Sequence, residues 1–545
     1  MTDKIIRGAG GPPPTPPPPY KAPDTLNSRQ FATILDLISE GEIEGFATPS
    51  KAGLTKGTVA YNNAALKDIF LNDTPILNSS ASNTNPQTAD FNFQNVGFTP
   101  RFGTSNQTHI AGIEGSQSTS AVGVTVTNSS PVTRQITNTA VDAAKVTITF
   151  PQLQKATDKG DLLGSSVNLK IQVQYNSGGF TDVINDTITG RTADAYQKEY
   201  RVNLTGSFPV DIRVVRVTAD STSSQLVDAF TWTSLAEIVD DKQTYPNSAY
   251  TSLRIDSEQF NSIPKRAFRI RGVKVRIPGA GASGSGTPSI DLQSGRVIYP
   301  TGYIFNGTMG AAQWCTCPSL ILLDLLTTER YGFGAHIIDS NLDLFSFIAA
   351  SKYANELVDD GFGGQEARFS CNVNIQGSTE AFDLINELAG VMRSFPIWSE
   401  GSVTLSQDRP TDPSFLFSLA NVGEAGFSYS GSSLKQRHTV ISVSYFNMDS
   451  REIDYEIVED TSAQNKLGII KKDVKGFACT SRGMAQRLGK AILFSEQQET
   501  EVVTFTTSIE AGAIVRPGSV ISINDPVRGG ERRSGRIKSA TTTAI

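Results

Sequence analysis

Four cysteines and three histidines in 545 residues leave little material for disulfide, metal or imidazole chemistry. A small secreted scaffold stapled by disulfides uses cysteine far more densely. No run of about 18 apolar residues occurs, so no membrane-spanning helix is expected. The amino terminus also lacks the apolar core of a secretory signal. These absences lead to the expectation of a protein made and assembled in a reducing cytoplasm. Lys and Arg number 48 against 54 Asp and Glu, a formal net charge of -6. Phosphate binding needs clustered cations, so this balance gives no general pull toward nucleic acid.

The residues that could carry chemistry do not assemble into a recognised pattern. Cys315-Thr316-Cys317 is a C-x-C pair, with Cys371 and Cys479 far along the chain. Structural zinc sites show two close pairs, commonly C-x2-C. Buried free thiols, a disulfide and a metal stay open, although a bridge across one residue would be strained. His109, His336 and His438 fall in different regions, and neither G-x-S-x-G nor H-E-x-x-H is present. The acidic doublets Asp240–Asp241, Asp359–Asp360 and Glu459–Asp460 are neighbours whose side chains diverge on a strand, which does not make a hydrolytic carboxylate pair. VDDGFGGQE reads as a turn, its glycines free to take positive φ, and not as a calcium loop. GAGASGSG (279–286) lacks the lysine and hydroxyl of a phosphate loop and reads as a flexible connection. Two basic groups stand out, RIRGVKVRI and RGGERRSGR (528–536); in the first, Arg269 and Arg271, with Lys274 and Arg276 as further candidates, sit on changing faces of a strand and read as a solvated face or as an inter-subunit contact or channel wall. No catalytic, cofactor-binding or metal residue is assigned, no cofactor is expected, and the chain is not expected to be an enzyme.

Local patterns predict a multidomain, mainly β protein with α+β parts. Residues 1–24 form a proline-rich extended arm: seven of the eight residues Pro12, Pro13, Pro14, Thr15, Pro16, Pro17, Pro18 and Pro19 are proline. Proline fixes φ and removes donors, so this run is a disordered tail or a pre-extended strap for a neighbouring subunit. In 25–77, Phe31, Ile34, Leu35, Leu37 and Ile38 predict a short helix, and 58–76 predict strands around an Asn62–Asn63 turn. Residues 78–245 predict an all-β, sandwich-like insertion. There Val167, Leu169, Ile171, Val173 and Tyr175 alternate with polar residues, followed by an NSGG turn, and Val210–Val217 is a second strand. Residues 246–310 are a β segment with the Gly/Ser loop.

Residues 311–429 predict a helix-rich α+β domain. A helix starts at Pro318, a second is capped by Asn341 and runs to Val358, and a third is capped by Ser378. The third carries one apolar stripe of Ala381, Phe382, Ile385, Leu388, Ala389 and Met392. Residues 430–545 predict paired strands 439–447 and 452–460, a helix 481–496, and strands 501–510 and 516–525 of a small, incomplete barrel, with Pro517–Gly518 as a turn.

Short motifs recur in one order along most of the chain: ILDLISEGEIEG (34–45), YPNSAYTSLRIDSEQF (245–260), Trp314–Cys315, RYGFG (330–334), DDGFGG (359–364), Cys371–Asn372, QDRP (407–410), VEDT (458–461) and CTSRG (479–483). Their order and wording resemble the amino-terminal half of the tail-tip attachment proteins J of lambda-like phages. The resemblance implies a trimeric hub of small β-rich domains, including barrels in a pseudo-sixfold ring, that closes the tail tube and helps open the path for DNA. It implies as partners other tail-tip proteins, the terminal tail-tube ring (the distal tail protein) and the carboxy-terminal end of the tape-measure protein. DNA would pass only transiently through the lumen, and the protein would sit in the virion tail tip. A host outer-membrane receptor is implied only through a distal part, with fibronectin-like modules and a binding tip, that has no counterpart here. The competing classes are a host-surface receptor or glycan-binding module, which needs an exposed aromatic tip, and a β-rich hydrolase, which needs converging acids or a metal.

Overall fold

A computed structural model describes residues 18–528 apart from 30, 261, 377–379, 400 and 432–436. Two compact units result: Met1–Ile38 with Thr55–Arg269, and Ser39–Leu54 with Ile270–Ile545.

The first unit opens on strand β1 (Phe31–Glu40), where a helix was expected. Alternate residues Ala32, Ile34, Asp36 and Ile38 are half-buried. Asp36 occupies one of these positions because Arg266 clamps it, Nε to Oδ2 at 2.7 Å and Nη2 to Oδ1 at 2.9 Å. The expected strands at 58–76 are also corrected. Helix α1 (Val59–Ala65) starts there because the Thr58 hydroxyl accepts the Tyr61 N–H at 3.2 Å. Asn62–Asn63 lies inside it. The hairpin turn comes later, at Asn72 (φ 46°) and Asp73 (φ 67°), after β2 (Ile69–Leu71).

The body of this unit is a sandwich of β3 (Glu114–Thr125), β4 (Val132–Ile136), β5 (Ala143–Phe150), β6 (Ser165–Tyr175), β7 (Thr181–Gly190), β8 (Tyr196–Asn203), β9 (Val210–Arg216) and β10 (Thr231–Asp240). One sheet is ordered β7-β6-β9-β4 and the other β8-β5-β10-β3, all antiparallel. In β6, Val167, Leu169, Ile171 and Val173 are fully buried, while Lys170 on the outer face pairs with Asp182 at 2.7 Å. Ile171 lies opposite Val214, and the inner faces close over Phe150, Phe230 and Trp232. Each such side chain contributes about 1.5–3 kcal/mol by leaving water. One charged pair interrupts this core: Arg216 is 2% exposed and meets Asp228 Oδ2 at 2.8 Å.

Of the arm, residues 18–24 are described. Pro12, Pro13, Pro14, Pro16 and Pro17 lie outside them. Pro18 and Pro19 are exposed. Beyond them the chain lies along its own sandwich. The Tyr20 N–H donates to Asp161 Oδ1 at 2.7 Å, the Leu162 N–H donates to the Tyr20 carbonyl at 2.8 Å, and Arg191 reaches the Ala22 carbonyl and Asp24 Oδ1, each at 2.7 Å. Leu26 packs on the sandwich core.

The second unit mixes helices with small sheets, one of which pairs Val275–Pro278 with β11 (Met309–Gln313). Helix α2 (Pro318–Thr327) starts on Pro318 as its sequence indicates. Helix α3 (Leu344–Ala354) starts after Asp343, two residues beyond the expected cap, because Asn341 closes a separate 3-10 turn. It also ends sooner, since Val358 belongs to β12 (Leu357–Asp359), which pairs with β13 (Gln365–Ala367). Helix α4 (Ala381–Val391) follows; Ser378 lies outside the described residues. Its stripe is divided: Leu388, Ala389 and Met392 are buried, whereas Ala381 and Phe382 are exposed. A three-stranded sheet follows, with β14 (Val440–Asn447) central, β15 (Glu452–Glu459) antiparallel to it and β16 (Lys471–Lys475) parallel to it. Helix α5 (Arg482–Gln498) covers one face through Met484, Ala485 and Leu493 against Ile441, Val443 and Val458.

The expected strand 501–510 is shorter, Glu501–Thr504, because Ser508 caps a helix at Ile509–Ile514. Gly518 (φ 81°) makes the expected turn. The sheets of the described residues are small and open, so the barrels anticipated for this region are not formed by them.

Candidate functional site: two motif clusters

The scattered motifs of the second unit converge in space. In the first cluster, RYGFG folds back on the carboxy-terminal end of α2. The last turn of any helix leaves carbonyls without partners. Here the Phe333 N–H donates to the Leu325 carbonyl at 2.9 Å, and the Gly332 and Gly334 N–H groups donate to the Thr328 carbonyl at 3.1 and 3.0 Å. A Cβ at Gly332 would lie 2.0 Å from the Leu325 oxygen, and one at Gly334 would lie 2.2 Å from the Thr327 oxygen. The motif therefore needs glycine for close approach. Tyr331 donates its hydroxyl to Asp324 Oδ2 at 2.6 Å, and its ring lies over Gly41 of the GEIEG motif, where a Cβ would be 2.9 Å away. Arg330 pairs with Glu40 of the same motif.

Burial raises the Asp324 carboxyl above its ordinary range, and the Tyr331 hydroxyl only partly offsets this. Asp324 borders a cavity of about 400 Å³ that Arg276, Thr328, Glu329, Gly334 and Asp339 also line. Arg276 and Asp339 neutralise each other across its wall at 2.8 Å.

In the second cluster, DDGFGG and CTSRG join the β12–β13 hairpin to the start of α5. Asp360 accepts the Phe362 N–H at 2.7 Å and the Gly364 N–H at 2.9 Å, and these bonds hold its carboxyl below the ordinary range. Ser481 caps α5 by accepting the Met484 N–H at 3.3 Å, and its hydroxyl donates to Glu366. Arg487 meets Glu366 Oε1 at 2.8 Å and donates to the Ala367 and Arg368 carbonyls. Arg482 pairs with the buried Glu456 at 2.7 Å and lies 4.1 Å over the Phe362 ring. Asn372 binds this knot twice, through its N–H to the Ala478 carbonyl at 3.0 Å and through its amide to Thr480 Oγ1 at 2.9 Å. Asp460 of VEDT caps the helix Thr461–Leu467. The Asp408 N–H of QDRP donates to the Arg393 carbonyl at 2.9 Å, beyond the end of α4.

The other sequence candidates are also absorbed into packing. All four cysteines are buried free thiols. Burial pushes Cys371 up to about 12 and Cys479 up to about 11. Among the described residues no three His, Cys, Asp or Glu side chains group to hold a metal. His438 Nδ1 lies 2.9 Å from Glu496 Oε2. The basic strand is not a solvated face: Arg269 pairs with Asp68 at 2.7 Å, and Arg271 is buried with its guanidinium 4.4 Å over Trp314. Arg528 is the last described residue, so the rest of RGGERRSGR lies outside.

Two family models match separate parts of the chain. One described as "Putative phage tail protein" matches residues 380–539, and "Tip attachment protein J, FNIII-A domain" matches residues 116–241, the span of the sandwich. A fibronectin-type module thus lies inside the insertion, whereas the resemblance had suggested such modules only for a distal part. The Tip attachment protein J of Escherichia phage SECphi27 is 30% identical over 528 residues, covering 96% of this chain and 41% of that protein. The protein of the same name from Escherichia phage SECphi4 is 30% identical over 543 residues, covering 98% and 44%. The chain is a homologue of the phage tip attachment proteins J along almost its whole length, and it spans less than half the length of these relatives. Among solved structures, the prophage MuSo2 43 kDa tail protein from Shewanella oneidensis aligns with 74% of this chain and 90% of its own at 12% identity, with a TM-score of 0.24.

Proposed function

We propose that the chain is a structural, non-catalytic component of the tip of a long non-contractile phage tail. In this reading it assembles as a homotrimer that closes the tail tube, organises the neighbouring tip proteins and takes part in host attachment and in opening the channel for DNA. Its partners are other tip proteins, the terminal tube ring and the end of the tape-measure protein. DNA passes only in transit. The observation that carries the reading is the homology to proteins named Tip attachment protein J over nearly all of this chain.

The geometry agrees in kind. The motif glycines, arginines and carboxylates cap helix ends and lock a hairpin onto α5, as a rigid scaffold requires. Light scattering of the purified chain, alone and with the adjoining tip proteins, tests the assembly. A threefold mass, alone or induced by those partners, supports it, and a monomer that ignores them overturns it.

A further inference from the structure

The three-stranded sheet β15-β14-β16 has two open edges of opposite character. Among the described residues β15 pairs only with β14, and β16 also pairs only with β14. Strand β15 carries Glu452, Asp454, Glu456 and Glu459 and no basic residue; Glu456 is buried under Arg482, and the other three are exposed. Strand β16 carries Lys471, Lys472 and Lys475, all exposed, and the single acid Asp473; Lys471 pairs with Asp473 at 2.8 Å and Lys472 with Glu496 at 3.2 Å, which leaves the strand itself two positive charges in excess of its one acid.

The face turned away from α5 exposes large apolar side chains along β15. Ile453, Tyr455 and Ile457 are 66%, 62% and 58% exposed, and Phe446 lies opposite Ile453 on the same face. Proteins blunt long open edges with charge, proline or bulges to prevent unintended pairing. The exposed Glu452, Asp454 and Glu459 give β15 that charge, yet three large apolar side chains of the same strand remain in water, as at a surface that a partner covers.

We propose that this sheet is a head-to-tail connector between copies of this chain, with the acidic edge β15 of one copy pairing with the basic edge β16 of the next. This rests on the trimer reading above and adds the surface through which it forms. The strand directions fit. β15 runs against β14 and β16 runs with it, so two sheets set side by side with β14 pointing the same way bring β15 and β16 together antiparallel. Charge selects the pairing: two β15 edges repel, as do two β16 edges, and only the unlike edges attract. Register places Lys471 and Lys475, with Asp473 between them, on the same face as Ile453, Tyr455 and Ile457. Their aliphatic stems cover the two isoleucines of the neighbouring copy, and their ammonium groups lie within reach of the Tyr455 ring. A contact between two different surfaces of one chain generates a closed ring when the rotation closes.

The test uses the full chain and three variants in sedimentation velocity, with the adjoining tip proteins added if assembly requires them. Glu452→Lys with Glu459→Lys reverses one edge, and Lys471→Glu with Lys475→Glu reverses the other. All four side chains are exposed, and circular dichroism checks that each variant folds. Each single-edge variant is expected to weaken self-association at least about tenfold, with the loss largest at low salt. Carrying both reversals in one chain is expected to restore assembly, because the edges are again unlike. If the wild type assembles and the single-edge variants assemble equally well, the connector is wrong and the trimer reading stands. If the single-edge variants fail and the combined variant fails equally, edge pairing by charge is wrong. A wild-type chain that stays monomeric under all conditions removes both.

Discussion

Gly483, in the first turn of α5, lies against the backbone of Asp360: a Cβ built on it would sit 2.6 Å from the Asp360 carbonyl oxygen. The contact joins two motifs more than a hundred residues apart and fixes the hairpin on the helix. Gly483→Ala must push that backbone away, which costs on the order of 1–3 kcal/mol. Gly390, inside α4, has no atom within 4 Å of its Cβ position. Gly390→Ala is therefore expected to stabilise by about 0.5–1 kcal/mol through helix propensity. Urea denaturation of the two variants should move in opposite directions.

The sandwich holds a buried ion pair in place of an apolar contact. Arg216 also donates to the Asp228 carbonyl at 2.6 Å and meets Asp220 Oδ1 at 3.1 Å. Arg216→Met leaves Asp228 buried without its cation, a loss of about 3–5 kcal/mol. Amide exchange in β9 and β10 is expected to speed up at least about a hundredfold. Adding Asp228→Leu should recover much of the loss, since an apolar pair of similar volume has no charge to bury.

The thiols are expected to be inert in the folded chain. Thiolate is the nucleophile, and burial pushes Cys371 to about 12 and Cys479 to about 11. At pH 8 a thiol-reactive dye should label native protein at least about a hundredfold more slowly than protein in guanidinium, with four thiols reacting per chain after unfolding.

Asp324 sets a pH dependence of known sign. Its folded carboxyl is raised by burial. Below its unfolded value both states are protonated and nothing is lost. As pH rises through the raised folded value, the folded state must ionise a half-buried group that ionises freely when unfolded, so stability falls. Asp324→Asn keeps an acceptor for Tyr331 and removes the titration. The variant should gain stability over the wild type between pH 4 and 8, and an advantage that shrinks with rising pH would contradict this.

The sandwich was legible because one face of each sheet meets solvent, so β6 shows clean period-two alternation. β1 was not, because Asp36 sits in its inward row to satisfy Arg266, and with a polar residue there Phe31, Ile34, Leu35 and Ile38 pass for a helical face. Asn62–Asn63 looked like a turn, yet the Thr58 cap commits that segment to helix and the turn falls on Asn72–Asp73. The docking of Tyr20 to Leu26 was equally hidden, since it uses backbone hydrogen bonds that composition does not encode. The motif clusters were visible only as ordered wording. Nothing local in CTSRG says that Gly483 will meet Asp360 or that Arg487 will meet Glu366.

The central claim is that this chain belongs to a tail tip. Electron microscopy of virions carrying an epitope tag in the exposed Asn176–Gly179 turn of the sandwich, labelled with gold, tests it most directly. The account predicts gold confined to the end of the tail distal to the capsid. Label along the tube, on the capsid or absent from intact virions that still contain the chain would contradict it.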